Sequence, residues 1–199
     1  MLKFYDISQE VFGCAVYPGD PAPKREVLCA IGDGALYNLT AFSMCAHNGT
    51  HIDAPAHFLK DGATVEQIPP EKTMGIAFVA LHDGELTAAD AKNILQRAEK
   101  AHDEAARKIL LKGNAIVTIE AAEVFADANI DLIAVESQTV GPEDAPMAVH
   151  LTLLKKGVVL LEGVCLHAVS EGAYFLSAVP LALGGADGAP CRAVLMALA

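Results

Sequence analysis

Apolar and polar positions recur with different periods along the chain, and the periods predict its elements. Residues 76–81 form a short continuous apolar run with β-branched and aromatic members, which predicts a buried strand. Beyond it, Thr87 precedes a segment in which Ala91, Ile94, Leu95 and Ala98 fall at i, i+3, i+4 and i+7. That spacing predicts a helix with one apolar face, capped by Thr87 and carrying Asp90 in its first turn. The polar stretch 101–107 is expected to continue this helix, and 108–111 returns to strand. Ala121, Val124, Phe125 and Ala128 repeat the helical spacing, with Asn129 as a C-cap and a strand over 130–135. Residues 147–156 read as a helix ended by Gly157, residues 158–161 as a continuous apolar strand, and 174–179 and 192–198 as further strands.

The first seventy residues are rich in turn signals, at Pro18-Gly19-Asp20-Pro21, Gly32-Asp33-Gly34 and Asp61-Gly62, with strands expected at 4–7, 26–30 and 37–45. The middle of the chain therefore alternates β-α-β-α-β while both ends are mostly β. This predicts an α/β fold, a single domain over residues 1–199 with a mixed β-sheet and helices packed against it. No repeat of 20–50 residues and no low-complexity tract is present.

Composition agrees with a packed core: apolar residues make up 53% and charged residues 20%, which excludes wholesale disorder. The net charge of −11 argues against a nucleic-acid partner and against an anionic membrane surface. A small-molecule substrate is left open. The longest apolar runs, such as 158–161 and 193–198, are far shorter than the ~20 residues of a membrane span. Residues 1–6 show no basic region followed by an apolar run, so no leader is expected. The five cysteines are scattered without a CxxC spacing, which reads as reduced thiols in a cytoplasmic protein.

The densest chemistry lies in His47-Asn48-Gly49-Thr50-His51-Ile52-Asp53-Ala54-Pro55-Ala56-His57. Gly49, Thr50 and Pro55 oppose a helix here. In extended chain, His51 and Asp53 share a face, and a bend at Gly49 brings His47 alongside them. Imidazoles and a carboxylate converging in this way suit zinc, manganese or iron, and the two carboxylate oxygens can bridge two metals. Three solvated loop histidines are the bland alternative. Further on, His150 falls in a helix-like segment and Glu162 ends the apolar strand. A carboxylate there is expected to be partly buried, and so either metal-bound or paired with Lys155 or Lys156.

The pattern His47-x-Gly49-Thr50-His51-x-Asp53-x-Pro55-x-His57 resembles the signature of the cyclase family of metal-dependent hydrolases, which includes bacterial kynurenine formamidases and isatin hydrolases. Asp6-Ile7-Ser8 with Tyr17-Pro18-Gly19-Asp20 is similar to the family's N-terminal pattern. His150 followed by Glu162-Gly163 looks like its second ligand pair, and residues 184–194 like its C-terminal loop and strand. The resemblance covers nearly the whole chain and implies a swivelling β/β/α-type fold and a homodimer or homotetramer. It implies a binuclear centre, with two zinc ions or manganese, in which His47, His51 and Asp53 bind one metal. Asp53, His150 and Glu162 would bind the other, and His57 would stay uncoordinated as the catalytic acid/base.

The departures from the family pattern fall elsewhere: Tyr17 stands where Trp is usual, Leu111-Lys112-Gly113-Asn114 lacks a threonine, and Glu136-Ser137-Gln138 replaces an Asp-containing turn. They are expected to touch the substrate pocket more than the metal ligands. The expected reaction is hydrolysis of an amide C–N bond by metal-activated water, with an arylformamide such as N-formylkynurenine the leading substrate. The competing readings are a cyclic imide, lactone or isatin-like ring as substrate, and a non-catalytic metal-binding protein. Tyr17 and Phe58 are candidates for contact with a planar substrate. Arg192 reads as a structural ion pair, Cys45 as a small buried group, and His82 and His102 as surface residues. His167, after a strand end, is a weaker candidate for the pocket.

Overall fold

The apolar runs of the middle of the chain become the centre of one large sheet. In the computed structural model, which describes residues 3–198, the strands are β1 (Phe4–Asp6), β2 (Lys24–Cys29), β3 (Leu39–Ser43), β4 (His51–Asp53), β5 (Met74–Leu81), β6 (Gly84–Leu86), β7 (Lys108–Lys112), β8 (Ala115–Val117), β9 (Leu132–Val135), β10 (Val159–Glu162), β11 (Gly172–Ser177), β12 (Gly188–Pro190) and β13 (Val194–Ala197). The helices are α1 (Pro70–Thr73), α2 (Ala88–Ala101), α3 (Ile119–Asp127) and α4 (Met147–Lys155). Met1, Leu2 and Ala199 lie outside the described residues, so the expectation about residues 1–6 falls partly outside them.

Nine strands lie side by side in the order β1-β13-β11-β5-β7-β9-β10-β4-β12. The central strands β5, β7, β9 and β10 are mutually parallel, and their connections run through α2, α3 and α4, as parallel pairing requires. Both flanks are antiparallel, so the sheet is mixed, as the alternation of periods predicts. Strands β2 and β3 form a separate hairpin, and β6 and β8 a short parallel pair.

Alternate residues of the central strands serve two cores. Phe78, Ile109, Leu111, Ile133, Val135 and Leu160 pack with Ile94, Phe125, Val149 and Leu153 of the helices. Val79, Leu110, Leu132, Ala134, Val159 and Leu161 pack on the opposite face with Ile52, Leu176 and Leu195. Strands buried on both faces explain why the sequence shows continuous apolar runs rather than alternation.

Helix α2 begins as predicted, with the Thr87 and Asp90 side chains each capping the other's backbone N–H. It ends at Ala101 and does not continue to 107. His102 is extended and residues 105–107 form a separate tight turn, because Ala105 is buried and the chain must fold back into β7. Asn129 takes a left-handed conformation (φ 52°) just past α3 and ends that helix as expected. The three-residue strands β6, β8 and β12 are additions the sequence pattern does not announce. No helix of the described residues is long and apolar enough to cross a membrane.

Candidate active site

The site is built by the two-residue period of β4 and by what its neighbours place beside it. In β4, Ile52 enters the core on one face, so His51 and Asp53 emerge together on the other. Strand β10 runs antiparallel to β4 with Glu162 opposite His51 and Leu160 opposite Asp53. Leu160 belongs to the helix-side core, so Glu162, two residues on, faces the helices too. His150 comes down from α4, where Val149, His150, Leu153 and Leu154 are buried. The face of the sheet beneath α4 thus collects His51, Asp53, Glu162 and His150.

The bend before β4 brings in the fifth ligand candidate. Gly49 has φ 63°, and a Cβ there would lie 2.9 Å from that of Cys14, so this position takes glycine for conformation and for space. The turn it completes sets His47 beside the strand, with Nδ1 2.8 Å from Asp53 Oδ1. The Thr50 hydroxyl donates to the Gly163 carbonyl at 2.7 Å and accepts from Gln9 N, tying the entry of β4 to the exit of β10. Gly163 (φ 69°) has no room for a side chain, since a Cβ would meet the Gly49 carbonyl at 2.3 Å.

Within this frame His51 Nε2 lies 3.3 Å from Asp53 Oδ1 and 3.5 Å from Glu162 Oε2. His150 Nε2 lies 3.3 Å from Glu162 Oε1 and 3.6 Å from Asp53 Oδ2. His57 follows Pro55 in a short 3₁₀ turn and sits at the edge of the cluster, its Nε2 4.0 Å from Asp53 Oδ2 and its ring stacked on His47 at 4.0 Å. The five ligand candidates and His57 are therefore brought together. Lys155 and Lys156 do not pair with Glu162: Lys155 is exposed and Lys156 reaches Asp127. Glu162 instead takes the two imidazoles and the N–H of Val140.

Burial and pairing oppose each other in the protonation of the cluster. Burial disfavours a charged His51, but hydrogen bonds and charge from Asp53 and Glu162 outweigh it and push the imidazole up to about 10. His47 and His150 are raised in the same way against burial, by Asp53 and by Glu162 respectively. Burial would raise the Asp53 carboxyl, yet His47 and His51 hold it well below the ordinary range. Without a metal, protons on the imidazoles balance the carboxylates.

The residues fit a divalent cation. Asp53 Oδ2 is buried and has no hydrogen-bond partner, an expensive arrangement for an ionised oxygen that a cation would relieve. His51, Asp53 and Glu162 offer ligand atoms within 4.8 Å of one another, and so do His47, Asp53 and His57. Imidazole and carboxylate donors in this mixture match zinc or manganese. A cavity of about 270 Å³ opens over the cluster, lined also by Tyr17, Asp20, Phe58 and Gln138.

Phe58 packs on the helix-side core and lines the cavity. Tyr17 is anchored by its hydroxyl to the Glu143 carbonyl. Cys45 is only partly buried, and its thiol faces Asp20. Arg192 forms its ion pair with Asp6, and His82, His102 and His167 lie off the cavity lining. Sequence reasoning missed Asp187, whose Oδ2 lies 3.0 Å from His47 Nε2 and 3.2 Å from His57 Nδ1. The available signal was its place in the segment 184–194 that resembles the family's C-terminal loop and strand.

The mixed sheet and its cluster of imidazoles and carboxylates have a known counterpart. The sequence pattern of the Cyclase family matches residues 5–142, and the chain belongs to that family. It is similar to the kynurenine formamidase of Bacillus anthracis, with 34% identity over 211 residues and 97% of each chain covered. A solved structure described as a potential metal-dependent hydrolase with cyclase activity superposes with a TM-score of 0.82 at 28% identity, covering 100% of both chains. Isatin hydrolase A from Ralstonia solanacearum shares the fold, with a TM-score of 0.84 at 20% identity over 99% of this chain and 92% of its own.

Proposed function

We propose that this chain is a metal-dependent amidohydrolase cleaving the C–N bond of an arylformamide, with N-formylkynurenine as the leading substrate. The observation that carries the reading is the buried, unpartnered Asp53 Oδ2 beside His47, His51, His150 and Glu162, four residues that line the cavity. The similarity to kynurenine formamidase over nearly the full length supports the choice of reaction.

His47, His51 and Asp53 would hold one cation, and Asp53, His150 and Glu162 a second, zinc first and manganese as the alternative. Such an ion supplies hydroxide at neutral pH and polarises the carbonyl. The chain's own residues do the rest. Asp53 and Glu162 provide the negative charge that retains the cations, and the Gly49–Thr50–Gly163 contacts fix the strands that carry them. His57, outside both proposed ligand sets, takes a proton from the attacking water and returns it to the leaving nitrogen. Tyr17 and Phe58 flank the cavity and provide apolar surface for a planar ring.

The hairpin β2–β3 leaves Val27, Leu28, Leu39 and Phe42 exposed, and this apolar surface supports association as a homodimer or homotetramer. All five cysteines are free, which supports a cytoplasmic setting. A panel of N-formylkynurenine, formanilide, a cyclic imide, a lactone and isatin, assayed with added zinc or manganese, tests the reaction. Release of the aryl amine from the formyl compounds is the expected result. Turnover confined to the ring compounds would replace the proposed substrate, and turnover of none would refute the enzyme.

A further inference from the structure

Asp187 lies in the loop before β12, far in sequence from the histidine motif, yet one of its oxygens meets two histidines of the site. Oδ2 is 3.2 Å from His57 Nδ1 and 3.0 Å from His47 Nε2. The loop is held in place by its backbone. Ala54 N donates to the Asp187 carbonyl at 2.9 Å, Val65 N donates to the Ala186 carbonyl at 2.9 Å, and Gly188 pairs with Asp53. Gly188 is bare of a side chain where the His47 ring passes, since a Cβ there would come within 2.7 Å of His47 Cε1. The backbone that carries the carboxylate is therefore tied to the strand that carries the cluster.

We propose that Asp187 is a positioning residue that fixes the tautomer and orientation of His57, and that the same oxygen orients His47. The inference rests on the acid/base role proposed above for His57. A neutral imidazole carries one N–H, and the nitrogen facing a carboxylate keeps it. Asp187 is the one hydrogen-bond partner of His57 Nδ1 among the described residues. With the proton held at Nδ1, Nε2 is left as a lone pair on the side of Asp53, 4.0 Å from its Oδ2.

The proton balance follows from that arrangement. As the water oxygen bonds to the carbonyl carbon, its proton passes to Nε2 and the ring becomes an imidazolium. The Nδ1–H bond to Asp187 is then charge-assisted, which stabilises the imidazolium. As the C–N bond breaks, the proton moves from Nε2 to the leaving nitrogen and the neutral ring is restored. Asp187 stays ionised throughout. His47 gains in parallel, because a ligating imidazole is oriented by a carboxylate on its other nitrogen.

The test compares wild type, Asp187→Ala, Asp187→Asn, His57→Ala and the double variant at saturating zinc, with bound metal measured in each. The substrates are formanilides whose departing anilines differ in basicity, 4-nitro against 4-methoxy. A misplaced acid hurts the basic leaving group most, whereas loss of metal or of folding lowers both alike. The expected result is a fall in kcat of roughly 10²-fold for the 4-methoxy compound, a much smaller fall for the 4-nitro compound, and little change in KM. Compared per bound zinc, which removes any effect through His47, adding Asp187→Ala to His57→Ala should cost nothing further. Equal losses on both compounds, or additive losses in the double variant, overturn the proposal.

Nitrogen-15 NMR of histidine-labelled protein reads the same relationship without turnover. Neutral His57 should carry its proton on Nδ1 in wild type and shift toward Nε2 in Asp187→Ala. An unchanged tautomer overturns the proposal. A shifted tautomer with no turnover of any formanilide by wild type leaves the positioning role standing and removes the amidohydrolase reading instead.

Discussion

Glu162, the last residue of β10, stands directly opposite His51, the first residue of β4, and their side chains meet at 3.5 Å on the helix side of the sheet. Backbone pairing of the two strands, rather than loop geometry, sets that distance. The ligands drawn from the histidine motif and from the far strand are thus positioned by the register of the sheet itself.

Removing Glu162 exposes what this pairing contributes. Glu162→Ala leaves His51 and His150 to share Asp53 alone, and the Val140 N–H without its acceptor. Loss of one partner from a buried charged pair costs about 3–5 kcal/mol, so urea unfolding of the metal-free protein should show a drop of that order. Glu162→Gln, which keeps the shape, should fold better and still fail to retain zinc in equilibrium dialysis. Zinc retention equal to wild type in Glu162→Gln would exclude Glu162 as a ligand.

His57 should behave differently. Its side chain is 28% exposed and it belongs to neither core cluster. His57→Ala is expected to lower kcat by roughly 10²–10⁴-fold. Bound zinc and thermal stability should stay close to those of wild type. Wild-type turnover in this variant would remove the acid/base role. Loss of zinc would instead make His57 a ligand, as its proximity to His47 and Asp53 would allow.

The raised imidazoles give the metal-free protein a definite response to pH. His51 is raised to about 10 in the folded state, above the ~6.5 of an unfolded histidine. Its pairing therefore stabilises the chelated protein fully below pH ~6.5, and that stability fades as pH rises toward about 10. A metal must displace the same protons, so zinc uptake should release protons and tighten as pH rises. Calorimetry in buffers of different ionisation enthalpy measures the release. An uptake with no proton release at neutral pH would contradict the paired imidazoles.

Gly188→Ala probes the space behind His47. The new Cβ would come within 2.7 Å of His47 Cε1 and 2.8 Å of the Ile52 carbonyl. Overpacking of this kind costs about 1–3 kcal/mol, and here the displaced group includes a proposed ligand. Zinc affinity should fall together with the melting temperature. A variant that melts like wild type and binds zinc as tightly would show that His47 is not seated where the structure has it.

Local chemistry made much of this site legible in the sequence. Thr87 with Asp90, the 91–94–98 spacing and the left-handed Asn129 follow from interactions within a few residues, and they reappear in the structure. His51 and Asp53 share a face because β4 is extended, and the bend at Gly49 delivers His47. What stayed hidden depends on distant pairing. Residues 101–107 leave the helix because Ala105 is needed in the core, a demand no local pattern records. Strand β12 is three residues long and exists through its pairing with β4. Asp187 reaches His57 only because of that pairing, and an aspartate in a glycine-rich loop looks like an ordinary turn residue.

The most direct measurement follows kynurenine and formate released from N-formylkynurenine by the purified protein, first as isolated, then stripped with chelator, then resupplied with zinc or manganese. Turnover should vanish on stripping and return with the added cation, in step with the metal found bound. Undiminished release by protein in which elemental analysis finds no divalent metal would contradict the centre built from His47, His51, Asp53, His150 and Glu162.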